Sequence, residues 1–187
     1  GSGRAVRVEG GYSINARKIF TSGAPAGDLL MTGAVLEEDG QEPMVLHFGI
    51  PMTSPHVRID PVWRTLGMRG TGSHDVLIDG HVIPETAVAL KRKAGEWHTL
   101  FHTIATLAFP LVYAAYLGVA ESACSIAVEL ARKRRADHNV TQLIGRMQTE
   151  LAGAQMAHRH MVEAASGGTT SAETVNDVMI GKRLVTE

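Results

Sequence analysis

Short apolar runs alternate with turn-forming residues over the first half of the chain. Clusters of Gly, Pro, Asn or Asp separate the runs. This pattern predicts β-strands in a compact antiparallel barrel or sandwich. The predicted strands are residues 4–9, 12–15, 17–21, 28–36, 44–50, 56–60 and 75–79.

Two tight turns are predicted near the start of this β region. Gly10 and Gly11 form the first turn, and Asn15 and Ala16 form the second, where Asn-Gly would make a better type I′ turn. Because alanine at positive φ costs ~1 kcal/mol, the second turn either has another geometry or carries that strain.

The pattern becomes helical after Pro84. Residues 99–135 are rich in Ala, Leu and Glu and predict a long helix, which Pro110 either kinks or divides. A second helix is predicted over residues 140–165, and a Ser-Gly-Gly sequence at residues 166–168 ends it.

A third helix is predicted near the end of the chain. Thr170 and Glu173 form a capping box that starts this helix near Ser171, and the helix is still running at Glu187. A chain that ends within a helix indicates a fragment.

The two patterns predict an α+β protein with a β domain at residues 1–90 and a helical domain at residues 91–187. A chain of 187 residues that is 44% hydrophobic can bury the cores of one or two small domains. Its 18 basic and 19 acidic side chains nearly balance, so we expect no nucleic-acid partner. A single cysteine, Cys124, excludes an internal disulfide framework and suits a reducing cytoplasm.

Residues 99–120 carry no formal charge and are long enough to suggest a membrane span. The stretch nevertheless contains His102, three threonines and Pro110, and no positive flank sets an orientation. We therefore expect a helix buried within a bundle rather than a membrane span. No signal peptide is expected either, because the N-terminus is polar and rich in glycine.

Several histidines could bind a metal ion, but their spacing argues against it. His158 and His160 are two residues apart on a predicted helix, whereas ligands on one face are three or four apart. His98 and His102 have the right spacing, but no acidic residue follows to complete a ligand set. No metal site is expected.

A glycine-rich segment at residues 67–73 includes Arg69, as a phosphate-binding loop might. Such a loop opens a helix, whereas a predicted strand follows here, so the segment does not fit that motif. His74 and Asp75 are neighbours on that strand and point to opposite faces. Without a bulge they cannot act as a dyad, which favours turn or surface roles.

Several motifs follow one another along the chain. Residues 10–23 read GGYSINARKIFTSG, residues 63–76 read WRTLGMRGTGSHDV and residues 82–85 read VIPE. They resemble the Gly-Gly-Tyr-x-aliphatic-Asn-Gly-x-Lys hairpin (followed by Trp-Ile-Thr-Asn), the Leu-Gly-x-Arg-x-Ser-x-Thr segment and the Val-Pro-x-Glu end of the β domain in acyl-CoA dehydrogenases. Residues 109–134 align without a gap with the family's first long C-terminal helix and share Pro110, Gly118, Ala120 and Arg134.

The resemblance implies an architecture of an N-terminal helical domain, a central β domain and a C-terminal four-helix bundle, usually packed as a homotetramer. The chain would then be the β domain followed by an incomplete helical bundle, and inactive by itself. The family also implies a flavoprotein oxidoreductase of fatty acid metabolism, with FAD as the cofactor or FMN as the alternative.

The resemblance places the flavin ring at the end of one strand, where a Thr hydroxyl bonds the flavin near N5. Thr21 is the expected contact, with Ile19, Phe20 and Ser22 beside it. Such an apolar wall would exclude water while one hydroxyl tunes N5, where the hydride arrives. Arg134 matches the arginine that contacts the flavin dinucleotide's pyrophosphate. The alternatives are that Thr21 is an ordinary strand residue and that Arg134 complements the helix dipole.

The chain also departs from the family's pattern. Ile19 stands where many members have the aromatic that stacks on the flavin, and residues 135–138 replace a Phe-Gly pair. Thr106 and Phe109 stand where some members have the acid and arginine for coenzyme A. The usual catalytic glutamate belongs to a region outside this chain, and its alternative position falls near Ala108, so the catalytic residue is unknown.

Three functions are consistent with these observations. The first is an acyl-CoA dehydrogenase-like enzyme that removes an α proton and transfers a β hydride to flavin. The second is a flavin-dependent monooxygenase of the same fold, supplied with reduced flavin by a partner reductase. The third is a non-catalytic paralogue that serves in oligomerisation through the uncharged helix face at residues 99–120. Either enzyme would act on a small molecule, an acyl-CoA in the first case.

Overall fold

A computed structural model describes residues 3–186 of the chain. It divides into two compact units, Gly1–Glu96 and Trp97–Glu187, which we call the β unit and the helical unit. The division falls later than residue 90, where the sequence pattern placed it. The residues outside the described part are Gly1, Ser2 and Glu187, so the expected continuation of the last helix at Glu187 lies outside it as well.

The described strands of the β unit form one seven-stranded sheet in the order β5-β6-β2-β1-β3-β4-β7. The strands are β1 (Arg4–Val8), β2 (Gly11–Thr21), β3 (Leu29–Leu36), β4 (Met44–Pro51), β5 (Val57–Asp60), β6 (His74–Pro84) and β7 (Val88–Lys93). All neighbouring pairs are antiparallel except β1 and β3, which are parallel. The chain reverses twice between β1 and β3, so these two adjacent strands run the same way. The α+β class is confirmed, and the sheet is mixed rather than wholly antiparallel.

β2 is one long strand, so the turn predicted at Asn15 and Ala16 is wrong. The register against β6 shifts between Ile14 and Ala16, which places a bulge there. Asn15 Oδ1 accepts a hydrogen bond from the Gly80 amide at 3.0 Å. The asparagine side chain therefore bonds to the neighbouring strand instead of closing a turn.

The hairpin predicted at Gly10 and Gly11 is present between β1 and β2. Gly10 has a φ of 79°, a left-handed conformation that glycine adopts without strain. Gly11 pairs with Pro84, so β6 runs beyond the predicted end at residue 79. The added pairing extends the sheet at the end that carries the hairpin.

β7 falls in the segment that the sequence pattern left as a boundary. Its residues Val88–Lys93 alternate between half-buried and exposed, the period-two pattern of an edge strand. The core of the sheet consists of buried apolar side chains from five strands. They include Ala5, Tyr12, Ile14, Leu30, Phe48, Ile50, Val76 and Ile83.

The helical unit contains three long helices in its described part. They are α1 (Leu100–Ala131), α2 (His138–Ser166) and α3 (Ala172–Thr186), with a short 3-10 turn at Arg132–Arg134. α1 continues through Pro110. His158 Nε2 donates to the Pro110 carbonyl oxygen at 2.8 Å, which joins α2 to α1. Tyr113, Met161 and Val178 form the buried cluster among the three helices.

The start of α3 differs in detail from the predicted capping box. The Thr174 amide donates to Ser171 Oγ at 3.1 Å, so Ser171 caps the helix. The cap lies one residue later than Thr170, where the sequence pattern placed it, because α3 begins at Ala172.

One helix in residues 3–186, Leu100–Arg134, is long and apolar enough to cross a membrane by length and composition. A core helix of a soluble protein passes the same test, so this finding is weak evidence for a span. Six residues of α1 are buried in the described helical unit, among them Tyr113 and Leu117, so the expected burial within a bundle holds for one face of the helix only.

Candidate functional site

The end of β2 carries the four side chains that the sequence assigned to a cofactor: Ile19, Phe20, Thr21 and Ser22. The register against β6 shifts between Lys18 and Thr21, and Phe20 has a φ of 54°. A non-glycine residue in this left-handed region is strained by about 1–2 kcal/mol. Such strain clusters at binding sites, where the surrounding structure enforces it.

An aromatic pair lies at this strand end. The ring centroids of Phe20 and Trp63 are 6.0 Å apart, with the planes at 89°. The Trp63 amide donates to His74 Nδ1 at 3.0 Å, and its indole Nε1 donates to the Met68 carbonyl oxygen at 3.1 Å. We call Phe20 and Trp63, together with the Met68 carbonyl group that holds the indole, the aromatic ledge. Phe20 is 68% exposed, so the ledge offers an apolar surface to a ligand.

Hydroxyl groups lie beside the ledge in a connected chain. Ser22 Oγ is 2.9 Å from Ser73 Oγ, which is 2.7 Å from Thr71 Oγ1, and Thr71 Oγ1 donates to the Met68 carbonyl oxygen at 2.9 Å. Because a carbonyl oxygen only accepts, the protons run from Ser22 to Ser73, from Ser73 to Thr71 and from Thr71 to Met68. Ser22 therefore keeps lone pairs but no free proton.

The Thr21 hydroxyl, like that of Ser22, has no free proton to donate to a ligand. Its Oγ1 donates to the Lys18 carbonyl oxygen at 3.1 Å, so its proton is also used within the protein. The Lys18 ammonium group donates to the Gly33 carbonyl oxygen, and burial lowers the pKa of this lysine. The strand end thus presents two hydroxyl oxygens as hydrogen-bond acceptors, and a matching ligand must bring N–H or O–H donors.

Asp75 is not a surface or turn residue, so that expectation is wrong. Its side chain is 8% exposed and pairs with Arg17, whose Nη2 lies 2.6 Å from Asp75 Oδ2. His74, on the opposite face, accepts the hydrogen bond from the Trp63 amide. Both residues therefore have structural roles at the site: His74 bonds to the Trp63 backbone, and Asp75 pairs with Arg17.

Arg134 belongs to the helical unit and is bonded within it. Its Nη2 lies 2.9 Å from Asp137 Oδ2, and its side chain is 68% exposed. Asp137 is the N-cap of α2 and accepts from the amides of Asn139 and Val140. The backbone bond from Val140, that from Asn139 and the Arg134 guanidinium lower the pKa of Asp137. In this state Arg134 supports a helix cap.

Asp137→Asn should remove the pH dependence of this cap while keeping the cap itself, because asparagine caps helices as well as aspartate. The folded pKa lies below the usual value of 3.8, so the charge stabilises the helical unit above that pH and is lost as the pH falls through the folded pKa. The stability advantage of the parent over Asp137→Asn, followed by thermal unfolding in far-ultraviolet circular dichroism, should shrink on acidification below about pH 4. Parallel pH profiles for the two proteins would contradict this.

The positions that could have served a coenzyme A thioester lie in α1. Thr106 is 1% exposed, and its hydroxyl has no hydrogen-bond partner among residues 3–186. Phe109 packs against the buried cluster of the helical unit. The ring centroids of Phe109 and Tyr113 are 6.2 Å apart, and the Lys182 ammonium group lies 5.1 Å from the Phe109 ring centroid. Neither side chain offers a carboxylate or a guanidinium to a ligand.

The residues 3–186 contain no group of three His, Cys, Asp or Glu side chains that could hold a metal ion. His98 has a structural role, since its Nδ1 accepts from the Leu100 amide at the start of α1.

Four residues of the site were not singled out from the sequence: Trp63, Met68, Thr71 and Ser73. All four fall in the motif at residues 63–76, which is the signal that could have identified them. Trp63 belongs to the ledge only because the chain between β5 and β6 brings it to Phe20, which no local pattern reveals.

The chain is similar to enzymes of two kinds, although no family model matches it. It is 33% identical over 132 residues to a dibenzothiophene monooxygenase of Rhodococcus erythropolis, covering 66% of this chain and 31% of that protein. It is 25% identical over 197 residues to a putative acyl-CoA dehydrogenase of Bacillus subtilis (strain 168), covering 97% of this chain and 48% of that protein. The chain thus spans between about a third and a half of these relatives.

The fold is also found among solved structures. XiaF from Streptomyces, solved in complex with FADH2 and glycerol, superposes with a TM-score of 0.76 at 21% identity, over 100% of this chain and 53% of that one. At this identity the likeness establishes the fold, and the site must be argued from the residues of this chain.

Proposed function

We propose that the chain belongs to a flavin-dependent monooxygenase. It carries the middle β domain and part of the helical domain of the acyl-CoA dehydrogenase-like superfamily, and flavin-dependent monooxygenases belong to the same superfamily. The enzyme takes reduced flavin from a partner reductase and inserts one oxygen atom of O₂ into a small-molecule substrate, and the second oxygen atom leaves as water as the reduced flavin gives up two electrons. Reduced flavin supplies the electrons for this reaction when it is bound.

The packing of Phe109 is the observation that favours a monooxygenase over an acyl-CoA dehydrogenase. The sequence resemblance put the dehydrogenase first, yet Phe109 stands where some members of that family have an arginine for coenzyme A, and it packs half-buried against the core of the helical unit. Thr106, at the position of the acid, is fully buried. A thioester substrate would lack both anchors, whereas a monooxygenase substrate needs neither.

The residues at the end of β2 fit a flavin. The aromatic ledge supplies an apolar surface that can cover one side of a planar ring and exclude water from it. Thr21 and Ser22 supply acceptors for N–H groups at the ring edge. Oxidised flavin has no proton at N5, whereas reduced flavin has one there, so two acceptor-only hydroxyls favour the reduced form.

The proposed function is tested on the full-length protein with two assays. We expect reduced FMN or FAD to bind more tightly than the oxidised form in anaerobic titrations, and acyl-CoA substrates to leave bound oxidised flavin coloured. Bleaching of the flavin by an acyl-CoA would make the protein a dehydrogenase. Failure to bind either flavin in either redox state would make it a non-catalytic paralogue.

Thr21→Val should weaken the binding of reduced flavin about fivefold and leave that of oxidised flavin unchanged. The change is close to isosteric and deletes one acceptor, and such a hydrogen bond contributes about 1 kcal/mol. The measurement is a pair of titrations of the full-length protein, in reduced and oxidised flavin. Thr53→Val, at an exposed threonine elsewhere in the β unit, is the control. Equal weakening in both redox states would show that Thr21 does not act on a reduced-state donor.

A further inference from the structure

Two histidines of the β unit lie close together, away from the aromatic ledge. His56 directly precedes β5, and His81 lies on β6, seven residues beyond His74 at the start of that strand. Seven residues of strand span roughly 20 Å, so the pair is separate from the proposed flavin site. The ring centroids of His56 and His81 are 6.1 Å apart, with the planes at 65°. The two residues are distant in sequence, so no spacing pattern reveals the pair.

The imidazole of His56 is held by the backbone of β6. Its Nδ1 lies 2.8 Å from the Asp79 carbonyl oxygen, and because a carbonyl oxygen only accepts, Nδ1 carries the proton. The other ring nitrogen, Nε2, therefore has a lone pair. An Nδ1 proton donated to a backbone carbonyl is the arrangement that orients histidine ligands at metal sites.

The imidazole of His81 is held by Ser54. Its Nδ1 lies 3.0 Å from Ser54 Oγ, and the same oxygen accepts from the His56 amide at 3.2 Å. When His81 Nδ1 donates to this oxygen, its Nε2 has a lone pair as well. Burial, and after it the neighbouring His56, lowers the pKa of His81. The ring is therefore neutral at physiological pH, which is the form that a metal ligand requires.

We propose that His56 and His81 bind a divalent transition-metal ion through their Nε2 atoms, with water in the remaining coordination positions. An ion about 2.1 Å from each nitrogen, with the two nitrogens between tetrahedral and opposite positions, sets the ring centroids roughly 5–6.5 Å apart. The observed 6.1 Å falls within that range. Within residues 3–186 no further His, Cys, Asp or Glu completes a group of three, so the site has two protein ligands and binds more weakly than a three-ligand centre.

The charges around the pair favour a transition metal over calcium or magnesium. A groove of ≈ 630 Å³ beside the pair is lined by Arg17, His56, Arg58 and Asp79, among others. The Arg17 guanidinium pairs with Asp75, and Arg58 and Asp79 carry opposite charges. Ca²⁺ and Mg²⁺ prefer several oxygen ligands, which this balance of charges does not supply, whereas imidazole nitrogen suits Zn²⁺, Cu²⁺ and Ni²⁺.

A bound ion joins two segments of the β unit. His56 belongs to the connection between β4 and β5, and His81 belongs to β6. The two nitrogens are brought together only in the folded sheet, so an ion that binds both stabilises the folded state by mass action. We therefore expect Zn²⁺ to raise the urea midpoint of the β unit in the parent and to leave it unchanged in His81→Gln.

Isothermal titration calorimetry of the metal-depleted 187-residue chain with Zn²⁺ is the first test. We expect one main site per chain in the parent and binding at least tenfold weaker in both His56→Gln and His81→Gln. His102→Gln should bind as the parent does, and it is the matched control because His98 and His102 are the histidines with helical ligand spacing. A parent that binds no Zn²⁺, or weaker binding in His102→Gln but not in His56→Gln, would overturn the proposal.

Ser54→Ala tests whether the serine hydroxyl positions His81. Loss of a partner that orients a ligating histidine typically weakens metal binding 10–100-fold, so we expect at least about a tenfold weaker Zn²⁺ site. Urea unfolding without metal should give the same midpoint for Ser54→Ala and the parent, which separates positioning from damage to the fold. An unchanged Zn²⁺ affinity in Ser54→Ala would overturn this role of Ser54.

Electron paramagnetic resonance with Cu²⁺ as the probe counts the ligands directly. We expect hyperfine coupling to two imidazole nitrogens in the parent and to one in either His56→Gln or His81→Gln. Because the spectrum is recorded on folded protein at saturating Cu²⁺, it does not depend on a comparison of affinities. Identical spectra for the parent and both variants would assign the ion to other ligands and overturn the proposal.

Discussion

Replacing Gly11 by alanine is expected to destabilise the β unit by about 3 kcal/mol or more, among the largest effects of any single methyl group in this chain. A Cβ atom at Gly11 would lie 2.0 Å from the Ile83 carbonyl oxygen and 2.9 Å from Pro84 Cα. These are backbone atoms of the paired strand β6, so no side-chain rotation relieves the clash. Either the β2–β6 pairing opens at this end or both strands shift.

Urea unfolding followed by tryptophan fluorescence measures this effect. A Trp97→Phe background leaves Trp63, in the β unit, as the reporter. Gly67→Ala, also in the β unit, is the control, because nothing lies within 4 Å of a Cβ there. An unfolding free energy for Gly11→Ala within about 0.5 kcal/mol of the parent would show that β2 and β6 can move apart at this point without destabilising the β unit.

The sequence predicted most elements of the fold because their signals are local. Hydrophobic periodicity and glycine punctuation located the strands, the Gly10 hairpin and the three helices. The error at Asn15 and Ala16 has a different origin. A turn and a bulge use the same residue types. The bulge forms here because β2 pairs with β6, where the Gly80 amide donates to Asn15 Oδ1, and Gly80 is far away in sequence.

The candidate site shows the same division. Thr21 and its neighbours were assigned to the candidate site through a motif, which predicts their position on the strand and not their hydrogen bonds. The direction of the proton chain from Ser22 depends on the Met68 carbonyl oxygen, which a loop brings there. The burial of Asp75 likewise depends on Arg17 across the sheet. Both depend on contacts between residues that are distant in sequence, and a single sequence does not display them.

The backbone at Phe20 connects stability with function. A φ of 54° at a non-glycine residue is unfavourable, and the Phe20 side chain is 68% exposed, with Trp63 as its aromatic contact. An aromatic ring kept at a strained and exposed position is explained if a ligand uses the ring. That reasoning leads to a variant that separates the two roles.

Phe20→Gly should lower the affinity of the full-length protein for reduced flavin at least tenfold while leaving the stability of the β unit nearly unchanged. Burying an aromatic face against a ligand contributes about 1.5–3 kcal/mol, which corresponds to a tenfold to hundredfold change in affinity. In the free protein the variant loses the edge contact with Trp63, which stabilises the fold by about 0.5–1.5 kcal/mol. It also relieves about 1–2 kcal/mol of backbone strain, so the two changes nearly cancel.

Phe20→Ala is the companion that makes this comparison decisive. It removes the same ring but keeps a Cβ atom at φ 54°, so it should lose the same affinity and also be less stable than Phe20→Gly by about 1 kcal/mol. Anaerobic flavin titration and urea unfolding measure the two quantities independently. If both variants keep their affinity for flavin, the ledge does not hold the ring. If Phe20→Gly instead unfolds the β unit, the aromatic pair with Trp63 holds the strand end together, and the strain at Phe20 belongs to folding rather than to binding.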